Sequence, residues 1–223
     1  MEGLKGGIGD RVKNAVQDYR YLLNRGYPRS ASLNIVSARY MLSREERMLL
    51  YRCVHPDREA ELVRSKLVEP PEIEGQTLIV DGYNVVLTIR AWVRGDTVYL
   101  CDDGVVRDLS GVHGKVHYDK TFQKALEEML YSASLLNPGR VEVFYDKQVS
   151  RSGELAAATR RLLSNLGLDG VAATSDRNDA RIIRASGVVS SSDIVILTQV
   201  SKIFDLAGYT ITRLGGIPLE LDP

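Results

Sequence analysis

Residues 77–84 read T-L-I-V-D-G-Y-N. A short run of strand-favouring apolar residues ends in Asp81, Gly82 and Asn84. The C-terminal ends of parallel strands are where open α/β sheets bind their ligands, so this reading sets a carboxylate on such an edge. Gly82 lets the backbone pass closely beside the strand end, and Asn84 falls in the first turn of a following helix. Three later segments repeat the pattern: V-E-V-F-Y-D ending at Asp146, V-A-A-T-S-D-R-N-D leading through Asp176 to Asp179, and V-V-S-S-S-D ending at Asp193.

Working outward, the residues after 76 alternate between strand and helix patterns. Helices are expected at about 84–93, 120–136, 152–166 and 178–185, with strands at 77–81, 141–146 and 171–175. Such alternation argues for a mostly parallel sheet. T-V-Y-L-C at 97–101, the D-D-G turn and V-V-R at 105–107 read as an added hairpin. Two readings of 188–198 compete. Either V-V-S-S-S is a strand leading into a helix over 194–207, or I-V-I-L-T is itself the strand and Asp193 leaves the site. Gly208 is expected to stop that helix, and Y-T-I-T-R-L to form the last strand.

Residues before 70 read as short helices. Asp10 is a candidate cap for the first, Ser30 for the second, and Ser43 with Glu46 forms a capping box for the third. His55-Pro56 ends that helix, and Pro70-Pro71 mark a boundary. The expected organisation is a helical bundle over 1–70 and an α/β domain over 76–223. The bundle carries Arg20, Arg25, Arg29, Arg39, Arg44, Arg47 and Arg52. Short basic helices can dock on phosphate backbones, and long arginines equally well cover apolar surface. Arg25 and Arg29, flanking the N-R-G-Y-P-R turn, are the better candidates for nucleic-acid contact.

The 223 residues carry no formal net charge, so there is no global argument for a polyanionic partner. The distribution is uneven: 13 Lys/Arg against 10 Asp/Glu over residues 1–73, and 16 against 19 beyond. Cys53 and Cys101 are too few for a disulfide scaffold, and with three histidines they lack zinc spacing. No apolar run behind the first residues suggests a signal peptide, and none approaches a membrane span. The expected setting is cytoplasmic and away from membranes. Homodimerisation stays open.

Carboxylates gathered on one edge repel one another unless a cation sits among them. An all-oxygen set suits Mg²⁺ or Mn²⁺, so Asp81, Asp146, Asp179 and Asp193 are the expected metal ligands. Ser191 and Ser192 could hold the last acid or a metal's waters. Asp102, Asp103, Asp108, His113 and Lys115, in or beside the D-D-G-V-V-R-D-L-S-G-V-H-G stretch, are further candidates for the site or for phosphate contact.

D-G-Y-N-V at 81–85, with the later acids, resembles the PIN-like nucleases and in particular their NYN branch. The segments C-D-D-G-V-V-R-D-L-S-G-V-H-G at 101–114 and S-S-S-D at 190–193 resemble an uncharacterised prokaryotic, largely archaeal, family within that group. D-Y-R-Y-L-L-N-R-G-Y-P-R-S-A at 18–31 is similar to its accompanying helical domain. The resemblance implies a three-layer α/β/α fold, an acidic Mg²⁺ or Mn²⁺ pocket and cleavage of nucleic acid, RNA before DNA. It puts the catalytic roles on Asp81, Asn84, Asp179 and Asp193. A catalytically silent nucleic-acid-binding or scaffolding protein is the competing expectation. A small-molecule phosphatase is a third, disfavoured because Gly82 and Tyr83 replace the expected D-x-D nucleophile pattern.

Overall fold

The computed structural model describes residues 8–110 and 118–221. The chain begins with α1 (Asp10–Asn24), α2 (Arg29–Arg39), α3 (Arg44–Cys53) and α4 (Asp57–Arg64). The capping box forms as the spacing predicts: Ser43 Oγ accepts the Glu46 N–H, and the Glu46 carboxylate accepts the Ser43 N–H at 2.7 Å. The other two caps differ from expectation. Gly9 precedes α1, with Asp10 already helical, and Pro28 precedes α2. Proline presets a helix-compatible φ, so α2 starts one residue before Ser30.

The second region runs β1 (Thr77–Asp81), α5 (Gly82–Val93), β2 (Tyr99–Leu100), β3 (Val106–Arg107), α6 (Lys120–Ser134), β4 (Arg140–Asp146), α7 (Ser152–Asn165), β5 (Gly170–Ser175), α8 (Asn178–Arg184), β6 (Val188–Ser190), α9 (Ile194–Leu197), α10 (Leu206–Arg213) and β7 (Leu219–Glu220). Its main sheet has the order β5-β4-β1-β6 with every pairing parallel. Side chains alternate across it, as the strand repeat requires. Leu78 and Val80 pack with residues of α5, α6, α7 and α10, while Ile79 packs with Ile182 of α8 and Ile196 and Leu197 of α9. Helices thus cover both faces, and the strands read as near-continuous apolar runs because both faces are buried. Full burial of each such side chain contributes about 1.5–3 kcal/mol.

A smaller sheet, β3-β2-β7, pairs β2 with β3 antiparallel and with β7 parallel. Tyr99 and Cys101 from this part, with Leu221, join Val12, Val16, Tyr19, Leu49 and Leu50 in one apolar cluster. The helical region is therefore completed by the hairpin that the sequence shows only as an addition.

Two expectations beyond residue 190 need correction. The helix expected over 194–207 is only α9. Its last carbonyls, Leu197 and Thr198, accept from Lys66 Nζ at 3.2 and 2.8 Å, and the chain then runs extended so that Ile203 bridges Leu67 and Val189. Y-T-I-T-R-L is helix α10, not a strand. Asp205 caps it by accepting the Gly208 N–H at 2.9 Å. Gly208 therefore lies in its first turn, where a Cβ would strike the Asp205 carboxylate. The competition at 188–198 resolves with V-V-S in the sheet, so Asp193 follows the strand and caps α9.

Candidate metal centre and the walls around it

Asp81 ends β1 at the sheet's C-terminal edge and is buried. Its carboxylate is held from three sides. Oδ2 accepts from Asn84 Nδ2 and from Ser191 Oγ at 2.8 Å, and Oδ1 accepts from Asn178 Nδ2 at 3.3 Å. Each donor comes from a different element: α5, the turn after β6, and the start of α8. Gly82 is required here by close approach, since a Cβ would fall on the Tyr145 ring.

Ser191 links Asp81 to Asp193. It donates to Asp81 and accepts the Asp193 N–H at 3.1 Å, while Asp193 Oδ1 accepts the Val195 N–H at 2.8 Å. Asp146, at the end of β4, accepts the Gln148 N–H at 2.8 Å, and Asp179 lies in the first turn of α8. Asp176 is turned to the surface, paired with Lys147 at 3.2 Å.

These groups meet in one cleft of about 620 Å³, lined by Asp81, Asn84, Asp146, Asn178, Asp179, Ser192 and Asp193. Their electrostatics are coupled. Burial pushes the Asp81 carboxyl up to about 6; the bonds from Asn84 and Ser191 act against this, and the Asp193 and Asp179 charges add to it. Partial burial, then the Asp193 and Asp146 charges, raise Asp179 as well. Two buried polar atoms on the lining, Asn178 Oδ1 and Ser192 Oγ, have no partner among the described residues. Buried polar groups are normally satisfied. Among the described residues, these acids share the cleft but do not bring three ligand atoms within 4.8 Å of one another.

The cleft's other wall is helical. Arg29, Met48, Tyr51, Arg52, His55 and Glu59 line it. Arg29 donates to the carbonyls of Tyr51 and Val54 at 2.7 and 2.9 Å, and its guanidinium lies 5.4 Å from the Tyr51 ring centre. Arg25 is elsewhere: it stacks on Tyr21 and is absent from this lining. Proximity along the chain groups the two arginines, but they diverge once the turn at 25–28 separates α1 from α2.

The hairpin acids take up separate partners. Asp102 accepts from His55 Nδ1 at 2.6 Å, from the His55 N–H at 2.8 Å and from Arg20 at 3.3 Å. Asp103 is fully buried and receives both arms of Arg107 at 2.6 Å. That pairing holds its carboxyl low against the opposing effect of burial. Asp108 accepts from Thr88 at 3.1 Å and Ser110 at 2.7 Å and lies 3.8 Å from Arg52. It does not line the acidic cleft. His113 and Lys115 fall outside the described residues.

His55, Asp102 and Asp103 bring three ligand-type atoms within 4.8 Å of one another. This buried group can coordinate a divalent ion, and its donor set does not select Mg²⁺ or Mn²⁺. An ion there would share Asp103 with the Arg107 guanidinium. In the sequence His55 reads only as the end of a helix. No local signal marks it, since its partner Asp102 is 47 residues away.

The chain belongs to the family defined by the domain of unknown function DUF5616, whose model matches residues 70–209. Residues 11–66 match a second model, the protein of unknown function DUF434. An uncharacterized protein of Methanocaldococcus jannaschii, MJ0935, is 31% identical over 204 residues, covering 91% of this chain and 98% of the relative. No solved structure matches the chain. Among the described residues, no helix is long and apolar enough to cross a membrane.

Proposed function

We propose that the chain is a metal-dependent nuclease of the PIN-like, NYN type that hydrolyses phosphodiester bonds, in RNA before DNA. The observation that carries this reading is the single cleft lined by Asp81, Asp146, Asp179 and Asp193 on the sheet side and by Arg29 and Arg52 on the helical side. Asp81, Asp179 and Asp193 would hold Mg²⁺ or Mn²⁺, with Asp146 at the margin. One or two such ions supply an activated water and neutralise the leaving oxygen. Asn84 and Ser191 orient the Asp81 carboxylate, each by donating to Oδ2. Ser191 also fixes the backbone at Asp193. Arg29 and Arg52 face the cleft with positive charge suited to flanking phosphates.

The test is a panel of single- and double-stranded RNA and DNA with Mn²⁺, Mg²⁺ or EDTA, run on the parent and on Asp81→Asn and Asp193→Asn. Metal-dependent cleavage that both substitutions abolish is expected. No cleavage of any substrate, or full cleavage by Asp81→Asn, would end this reading.

A further inference from the structure

One exposed tyrosine on the wall of the charged cleft is held in place. Tyr51 is 47% exposed at the end of α3, yet it does not hang free. Arg29 reaches across from α2, donates to Tyr51's own carbonyl and stacks its guanidinium on the ring. One ring face is thus occupied by a cation that is itself tied to the backbone, and Tyr51 is among the residues that line the cleft. Met48 adds apolar surface on the same wall, and Ile194 and Val195, the latter 56% exposed, add it on the opposite one, immediately after Asp193. The cleft therefore sets apolar, partly aromatic surface directly beside its carboxylates. A flat apolar ring whose anionic neighbour meets Arg29, Arg52 or a cation held by the acids matches that layout: a nucleobase and its phosphate.

We propose that Tyr51, braced by Arg29, is the base-stacking residue of this cleft, so that the helical region selects nucleotides whose bases are unpaired and free to leave their neighbours. This rests on the nucleic-acid reading above and assigns it a specificity residue outside the sheet. Stacking of a base on an aromatic ring tolerates any base. The guanidinium stacked on the ring is a positive charge already held by two backbone carbonyls, so it attracts a phosphate with little further ordering of its side chain. Tyr51 is half exposed and outside the buried core, so substitution is expected to leave the helix intact.

The experiment uses the full chain carrying Asp81→Asn with Mg²⁺, so that affinity is read without cleavage. Fluorescence anisotropy follows binding of a labelled single-stranded oligouridylate and of a blunt RNA duplex. Tyr51→Ala is expected to weaken single-strand binding about tenfold, or about 1.4 kcal/mol. Tyr51→Phe and Tyr51→Trp are expected to stay within about twofold of the parent, because the ring and not the hydroxyl carries the contact. Duplex binding is expected to be weaker and indifferent to all three. Equal affinity of Tyr51→Ala and parent for the single strand overturns the proposal, as does absence of single-strand binding by the parent. A protein that binds through Tyr51 but never cuts would refute the nuclease reading alone. One that cuts with Tyr51→Ala binding normally would refute only this inference.

Discussion

Arg107 and Ser192 are joined across 85 residues of sequence: the buried guanidinium donates through Nε to the Ser192 carbonyl at 2.7 Å. Its two remaining arms are committed to Asp103. The hairpin that carries Arg107 thereby grips the turn between β6 and α9, one residue from Asp193. Asp102, beside Asp103, grips His55 on the helical wall. The D-D-G-V-V-R segment is thus the joint between the acidic edge and the wall opposite it.

Breaking that joint should be costly. Arg107→Met leaves Asp103 charged, buried and unpaired, which typically destabilises by about 3–5 kcal/mol. Combining Arg107→Met with Asp103→Leu removes both charges, and the double variant should unfold at a higher urea concentration than Arg107→Met alone. A double variant no more stable than the single one would show that the Ser192 contact, rather than the ion pair, carries the stability.

Asp81 gives a pH signature. Its carboxyl lies at about 6 in the fold, above the usual 3.8. The folded state therefore holds this proton more tightly than the unfolded chain. The resulting stability is complete below about pH 4 and is lost as pH rises through about 6. Two pKa units correspond to about 3 kcal/mol as an upper bound. In EDTA at pH 7.5, Asp81→Asn should melt above the parent, because the new amide carries no charge. Asn178 Oδ1, which has no partner among the described residues, can accept from it. Mn²⁺ should raise the parent's melting temperature at pH 7.5 more than at pH 5 and leave Asp81→Asn little changed. Asp205, also raised to about 6 by burial, titrates in both proteins and cancels from the comparison. Identical melting of variant and parent in EDTA at both pH values would contradict the assignment.

Asp193 has two jobs that one substitution separates. It caps α9 through Oδ1, and asparagine caps helices as well as aspartate does. Asp193→Asn should therefore keep the parent's melting temperature in EDTA. It should weaken Mn²⁺ binding at least about tenfold, about 1.4 kcal/mol, as read by calorimetry. Unchanged Mn²⁺ affinity would leave Asp193 as a cap and nothing more.

Arg29 and Arg25 should part company in salt dependence. Removing one cationic side chain from a phosphate lowers the slope of log affinity against log salt by about 1. Arg29→Gln should show that drop for single-stranded RNA, while Arg25→Gln, stacked on Tyr21 away from the cleft, should not. The reverse pattern would move the binding surface to the far side of α1.

What the sequence reveals depends on how local each determinant is. The β1 junction is legible because strand, acid, glycine and asparagine are contiguous, and the capping box of α3 because its partners are three residues apart. The helix over 206–213 escapes notice because isoleucine and threonine suggest a strand. The decisive spacing, with Leu206, Ala207, Thr210 and Ile211 all buried, is helical, and tertiary packing overrides the residue preference. The extended run through Ile203 answers to Lys66 and Leu67, far back in the chain, which no window of sequence contains. The same holds for the helical wall. Nothing near N-R-G-Y-P-R says that Arg29 and not Arg25 will face the acids.

The apolar cluster shared by α1–α3, Tyr99, Cys101 and Leu221 has a consequence for synthesis. Chains are made from the N-terminal side at about 5–20 residues per second. The helices emerge first, but Tyr99, Cys101 and Leu221 reach the same core only after the intervening sheet strands have been translated. Until then the emerging helices present an unfinished apolar surface, and a fragment released after residue 70 would keep that surface permanently. Such a fragment should bind hydrophobic dyes and lack fixed side-chain packing, so the region written first is the one whose interior closes last.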